Sequence, residues 1–175
     1  VNSMQNQGPL ILDEVFPAMK ERFGEYEVLA AEEDLMEMIE DFPCEEKNKF
    51  KGFIDLVIKT SDDKIHIIDW KTCSWGWDAR KKSDPMVTYQ LTFYKHYWAK
   101  KHNVDSKMIE THFALLKRTA KKDRVEIFRV TSGPRKTQNA LKFLEKAIYN
   151  IEKKNFIKNR LACRKCEFYK TEHCK

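Results

Sequence analysis

Three ionisable residues stand where ionisable residues are costly. Asp55 interrupts the apolar run Phe53–Ile58, and Asp69 and Lys71 close a second run, Ile65–Trp70. Charged groups among Ile, Val and Phe are unfavourable unless something pairs with them. A divalent cation between the carboxylates would relieve both acids, and a phosphate would relieve the lysine.

The elements that must hold these groups follow from the same stretch. Both apolar runs are rich in β-branched and aromatic residues and flank the polar turn Thr60–Lys64, which predicts a β-hairpin. Residues two apart in a strand point the same way, so Asp69 and Lys71 share a face, and pairing can bring Asp55 onto it. His66 and Trp70 alternate to the other face, so His66 reads as a core or opposite-face histidine and not a ligand. Asp84-Pro85 has the form of a helix cap followed by proline at the first helical position, and Asn103 is a stop. Between them Val87, Leu91, Tyr94 and Trp98 form an apolar stripe. Gln90 and Tyr94, four apart, lie one above the other on one side of it.

The order G-F-I-D at Gly52–Asp55, then I-I-D-W-K-T at Ile67–Thr72, then Q-L-T-F-Y at Gln90–Tyr94, resembles the PD-(D/E)XK nucleases. The Q-x-x-x-Y motif is similar to that of the RecB-like branch, which includes AddB-type nucleases, CRISPR adaptation nucleases and the mitochondrial genome-maintenance exonuclease, and suggests a phage or bacterial source. The resemblance runs from about Tyr26 to the C-terminus. It implies a restriction-endonuclease-like α/β core, a mixed central β-sheet flanked by helices. It also implies Mg²⁺ or Mn²⁺ held by Asp55 and Asp69, with Lys71 positioning water or stabilising charge on the phosphate. Gln90 and Tyr94 would then orient the lysine or the substrate. Such proteins often place an acid on the first strand beside the metal, which singles out Glu32, with Glu33 behind it.

The remainder of the chain bounds the reading. One core of ordinary size fits 175 residues, with 42% apolar content and 12% aromatic. No apolar run approaches the roughly 20 residues that span a bilayer, and the N-terminus lacks the regions of a signal peptide, so an intracellular, cytoplasmic protein is expected (in a host cell, if phage). Residues 1–99 hold 12 Lys+Arg against 19 Asp+Glu, whereas residues 100–175 hold 21 against 8. The basic second half suits a polyanion. After the second strand comes C-S-W-G-W-D-A-R-K-K-S. Trp75 and Trp77, with Arg80, Lys81 and Lys82, either stack bases and hold phosphates or fold back onto the core.

Pro9 to Phe23 has helical periodicity through Ile11, Leu12, Val15, Phe16 and Met19, with Gly24 as its cap. A strand follows over Tyr26–Ile39, then a polar loop over Asp41–Lys49. Lys107–Lys117 and Arg124–Val130 read as strands, and His112 by itself suggests no chemistry. Gly133-Pro134 opens a last helix with Leu141, Leu144, Ile148 and Ile151 on one stripe. Residues 1–160 are expected to form the nuclease domain and 161–175 a tail. There Cys163, Cys166 and Cys174, three of the five cysteines, have ligand-like spacing for Zn²⁺ or a 4Fe-4S cluster. His173, Cys44 or Cys73 would complete such a site, and the alternative is a metal-free tail.

The expected function is a metal-dependent deoxyribonuclease, an exonuclease or an enzyme that processes single strands or duplex ends, in replication, recombination or repair, alongside a helicase or recombinase. Two competing readings are a nucleic-acid-binding module that kept the fold but lost turnover, and a zinc-knuckle interaction protein. RecB-like nucleases usually carry a further metal-site residue, often histidine, on a helix before the first strand. No histidine precedes His66 here, so the expectation is a missing N-terminal segment, unless Glu14 or Glu21 fills the place.

Overall fold

A computed structural model describes residues 2–44, 47–155 and 159–174, leaving residues 45 and 46 of the polar loop outside the description. The elements in chain order are α1 (Asn2–Phe23), β1 (Tyr26–Met38), β2 (Lys49–Thr60), β3 (Ile65–Cys73), α2 (Ala79–Ser83), α3 (Pro85–His102), β4 (Ile109–Lys117), β5 (Val125–Val130) and α4 (Pro134–Glu152). Short 3₁₀ turns occupy Ser106–Met108 and Arg160–Lys165.

The five strands form one mixed sheet in the order β1-β2-β3-β4-β5. Every neighbouring pair is antiparallel except β3 and β4, which run parallel. A parallel pair needs a crossover, and α3 supplies it. The Asp84 side chain accepts from the Met86 N–H, Pro85 occupies the first turn, and Asn103 ends the helix in the left-handed region at φ 52°.

Helices cover both faces, which is the α/β architecture expected. On one face Val57, Ile67, Phe113 and Leu115 pack against Leu91, Tyr94, Tyr97 and Trp98 of α3, with Leu144 and Ile148 of α4 at the margin. On the other, Ile58, Ile68 and Ala114 pack against Met19, Val15 and Phe23 of α1. Two helical stripes are narrower than their periodicity predicts. Leu12 and Phe16 of α1 are exposed, and so is Ile151 of α4. In α1 the inward line is Ile11, Val15, Met19 and Phe23, and Leu12 and Phe16, one position round the helix from it, face water. Ile151 lies one turn past Ile148, the last α4 side chain packed on the core.

Glu33 ties β1 to α3. Trp98 Nε1–H donates to its carboxylate at 2.7 Å, Lys101 Nζ donates at 2.9 Å, and His102 Nε2 lies at 2.6 Å. Burial pushes the Glu33 carboxyl up, but the bonds from Lys101, His102 and Trp98 outweigh it and hold the group below its ordinary range. A carboxyl with a lowered folded pKa stabilises above its unfolded value, about 4.3, and that contribution is lost as pH falls through the folded value. Glu33→Gln is therefore expected to cost about 1–3 kcal/mol at neutral pH. Urea unfolding between pH 6 and pH 3 checks this: the variant should lose less stability over that interval than the wild type.

Candidate active site

The β2–β3 ladder pairs Lys59 with Ile65 through Leu56 with Ile68 and then stops. One step further along the same register, Asp55 stands opposite Asp69. Beyond this point β3 continues against β4 alone, as far as Cys73 opposite Lys117. Asp55 takes over where the ladder ends: its Oδ2 accepts the Trp70 backbone N–H at 2.7 Å. The strands thus part with two carboxylates at the fork.

Regular alternation breaks at the same place. Ile54 and Val57 both belong to the α3-side core, while Leu56 faces α1. Across the sheet, the β1–β2 register that pairs Ala31 with Leu56 and Glu33 with Ile54 sets Glu32 opposite Asp55. Glu32 has φ 51°. For a residue with a side chain this left-handed conformation costs roughly 1–2 kcal/mol, and such strain concentrates at functional sites. Ala31, Glu32, Asp55, Leu56 and Trp70 line a pocket of about 570 Å³.

Asp69 is only 2% exposed. Its Oδ2 lies 2.7 Å from Lys71 Nζ, a close ion pair. Burial pushes the Asp69 carboxyl up, Lys71 pulls it back, and the charge of Asp55 adds to the rise. The net direction is upward, so the site favours a proton or a cation on Asp69. Lys71 is one-third exposed and also lies over the Phe113 ring, 5.9 Å from its centroid.

Gln90 Nε2 donates to Tyr94 Oη at 2.9 Å, one helical turn apart. Tyr94 packs over Gly52: a Cβ at that glycine would lie 2.6 Å from Tyr94 Cε1. The glycine of G-F-I-D is therefore set by the tyrosine of the helix motif, a link that spacing alone does not reveal.

The segment after β3 divides. Trp75 is 75% exposed. Trp77 is packed edge-on against Phe113 and Phe128, with the Lys81 ammonium over its ring at 4.4 Å. These contacts make Trp77 part of the core packing. Lys82 pairs with Glu126, whereas Arg80 and Lys81 project from α2, a short helix the sequence pattern does not announce.

Other expected ligands lie elsewhere. Glu14 is held by Arg124, whose backbone N–H and guanidinium donate at 2.6 and 2.7 Å, and Glu21 borders a pocket beside Val125 and Ile127. Neither points into the Asp55–Asp69 fork. Among the described residues, no metal-competent group of three includes Cys163, Cys166 or Cys174. The one such group is His66, Glu110 and His112, on the α1 side of the sheet. Sequence reading assigned neither histidine any chemistry, because their partnership spans β3 and β4.

No helix among the described residues is long and apolar enough to cross a membrane. The search of curated proteins finds no match. Among solved structures, the crystal structure of SSO0001 is similar in fold, with a TM-score of 0.52 at 17% identity. That similarity covers 91% of this chain and 65% of the other, so this chain spans less than two-thirds of the other's length. The model of the PD-(D/E)XK nuclease superfamily matches residues 5–171. With nearly the whole sequence matched and the acid–acid–lysine set at the fork of a mixed sheet, the chain belongs to the PD-(D/E)XK nuclease superfamily.

Proposed function

We propose that the chain is a Mg²⁺- or Mn²⁺-dependent deoxyribonuclease of the RecB-like branch, acting on single strands or duplex ends. One observation supports this reading above the others: Asp55 and Asp69 stand one register step past the last pair of the β2–β3 ladder, near enough for the Asp55 charge to push the Asp69 carboxyl up, with Lys71 on Asp69. Asp55 and Asp69 offer only oxygen, the donor a hard divalent cation takes, and Asp69 Oδ2 is buried with Lys71 as its partner; Glu32 stands across the β1–β2 register and is not gathered with them into a ready group of three. Bound there, such a cation supplies Lewis acidity toward a phosphate oxygen and lowers the pKa of a coordinated water. The chain's own residues do the rest. Asp55 fixes the fork by accepting the Trp70 N–H. Lys71 exchanges its contact with Asp69 for the phosphate or the attacking water, and so stabilises charge that builds up on the phosphoryl group. Tyr94, held by Gln90, braces the strand that carries Asp55.

The test is incubation with labelled single-stranded and duplex DNA, with and without Mn²⁺. Cleavage abolished by EDTA supports the reading. Tight binding with no cleavage supports a binding module instead.

Trp75 is the side chain in this region best placed to stack a base. Trp75→Ala is expected to weaken binding to a single-stranded oligonucleotide by about 1–3 kcal/mol without lowering Tm. Trp77→Ala should do the reverse, because its ring fills the core. Fluorescence anisotropy and thermal melting of the two variants separate these effects.

A further inference from the structure

On the α1 face of the sheet, opposite the Asp69–Lys71 pair and beneath Phe23 of α1, His66 of β3 and His112 of β4 come together. His66 Nδ1 lies 3.1 Å from His112 Nε2. Glu110 Oε2 lies 3.9 Å from each of these nitrogens. The Phe23 ring covers both imidazoles, at 4.9 and 5.0 Å between centroids. Both histidines are buried, and Glu110 is the more open member.

The atoms facing away from this meeting point are already fixed. Thr60 Oγ1–H donates to Asp62 Oδ1 at 2.5 Å, so the hydroxyl oxygen accepts from His66 Nε2–H at 3.0 Å. That leaves a bare lone pair on His66 Nδ1, aimed inward, and His112 Nε2 donates its proton to it. Glu110 Oε1 is held by Arg129 at 3.2 Å and approached by Lys64 at 3.9 Å, while Oε2 turns toward the histidines. A hydroxyl accepting from the far ring nitrogen and a guanidinium holding the far carboxylate oxygen are outer partners of the kind that orient metal ligands. His112 Nδ1 is buried without a partner and can take the proton that leaves Nε2.

We propose that His66 Nδ1, His112 Nε2 and Glu110 Oε2 form a second metal site, of the zinc class, that fastens β3 to β4 beneath the C-terminal end of α1. Two nitrogens bound to one tetrahedral Zn²⁺ lie roughly 3.3 Å apart, from Zn–N bonds of about 2.0–2.1 Å, against 3.1 Å here. The carboxylate needs a shift of about half an ångström to match. Two imidazoles and one carboxylate suit Zn²⁺ or Co²⁺ and exclude Mg²⁺ and Ca²⁺, which take oxygen ligands. Water beside Glu110 would complete the coordination. Burial also pushes His66 down, and His112 down to about 3, so both are neutral, the ligating form, at pH 7. The site is independent of the nuclease reading, since no residue is shared with the fork.

The test uses the full chain, stripped with EDTA and titrated with Zn²⁺ or Co²⁺, with bound metal measured by elemental analysis after dialysis. The expected result is one tightly held Zn²⁺, a tetrahedral Co²⁺ absorption band, and a rise in Tm on adding metal. His112→Gln should abolish all three. Glu110→Gln, at a more open position where folding is not at risk, should weaken Zn²⁺ affinity by at least 10-fold. Metal content unchanged by both variants overturns the proposal, and so does Zn²⁺ lost instead from Cys163→Ser/Cys166→Ser, which would place it in the tail. The absence of bound Zn²⁺ in the wild type also overturns it.

Discussion

Asp69→Asn is expected to slow Mn²⁺-dependent DNA cleavage by on the order of 10²–10³-fold while leaving the fold at least as stable. The two halves of this expectation have one cause. The Asp69 carboxyl is buried and its pKa is raised, so the folded chain binds a proton there more readily than the unfolded chain does. Such a group costs nothing below its unfolded pKa, about 3.9, and its full cost is present above the raised folded value. Asparagine removes that cost and the metal ligand together. Lys71→Ala should be equally inactive but shift stability the other way, because it strips the buried carboxylate of its ion-pair partner. Melting of both variants at pH 7 without metal, beside single-turnover cleavage, decides the matter. On the proposed reading DNA affinity should survive in both, since the positive charge that would meet phosphates is spread over the second half of the chain. Near-normal cleavage by either variant would remove the fork from consideration as the active site, and a lower Tm for Asp69→Asn would show that its burial is not a cost.

Gly52→Ala should be disproportionately damaging for the addition of one methyl group. The added carbon would meet the Tyr94 ring at 2.6 Å and the Phe50 ring at 3.3 Å, and Tyr94 is itself buried. Neither ring edge is a flexible chain end that can swing away. Overpacking of this kind costs about 1–3 kcal/mol, and relief by moving Tyr94 would break its bond from Gln90 and loosen the strand carrying Asp55. Tm should fall by several degrees, with cleavage reduced and DNA affinity little changed. Gly133→Ala, where a Cβ meets open space, is the matched control. In a Tyr94→Leu background the Gly52→Ala penalty should shrink, a non-additivity expected only if the two residues act through contact. Additive losses would mean that the glycine answers to some other constraint.

The amino-acid sequence by itself determined the parts whose physics is local. β-Branched runs around Thr60–Lys64 gave the hairpin, Asp84-Pro85 and Asn103 bounded α3, and period-two spacing put Asp69 and Lys71 on one face, all as the structure has them. The ordered motifs led to the superfamily and its mixed sheet. What required tertiary structure depends on pairing between strands or on which part of a helix meets the core. Alternation cannot show that the β2–β3 ladder ends at Leu56, nor that Glu32 takes a left-handed conformation opposite Asp55. Trp75 and Trp77 are chemically alike and two apart, yet one is exposed and the other fills a gap beside Phe113 and Phe128. His66 and His112 are 46 residues apart and look inert singly; the parallel register of β3 and β4 sets their ring nitrogens 3.1 Å from each other. Leu12 and Phe16 keep the period of a buried stripe but lie outside the contact of α1 with the sheet. Local pattern fixes what an element is and which way its side chains point, whereas the neighbour each side chain meets is decided only when the sheet closes and the helices dock.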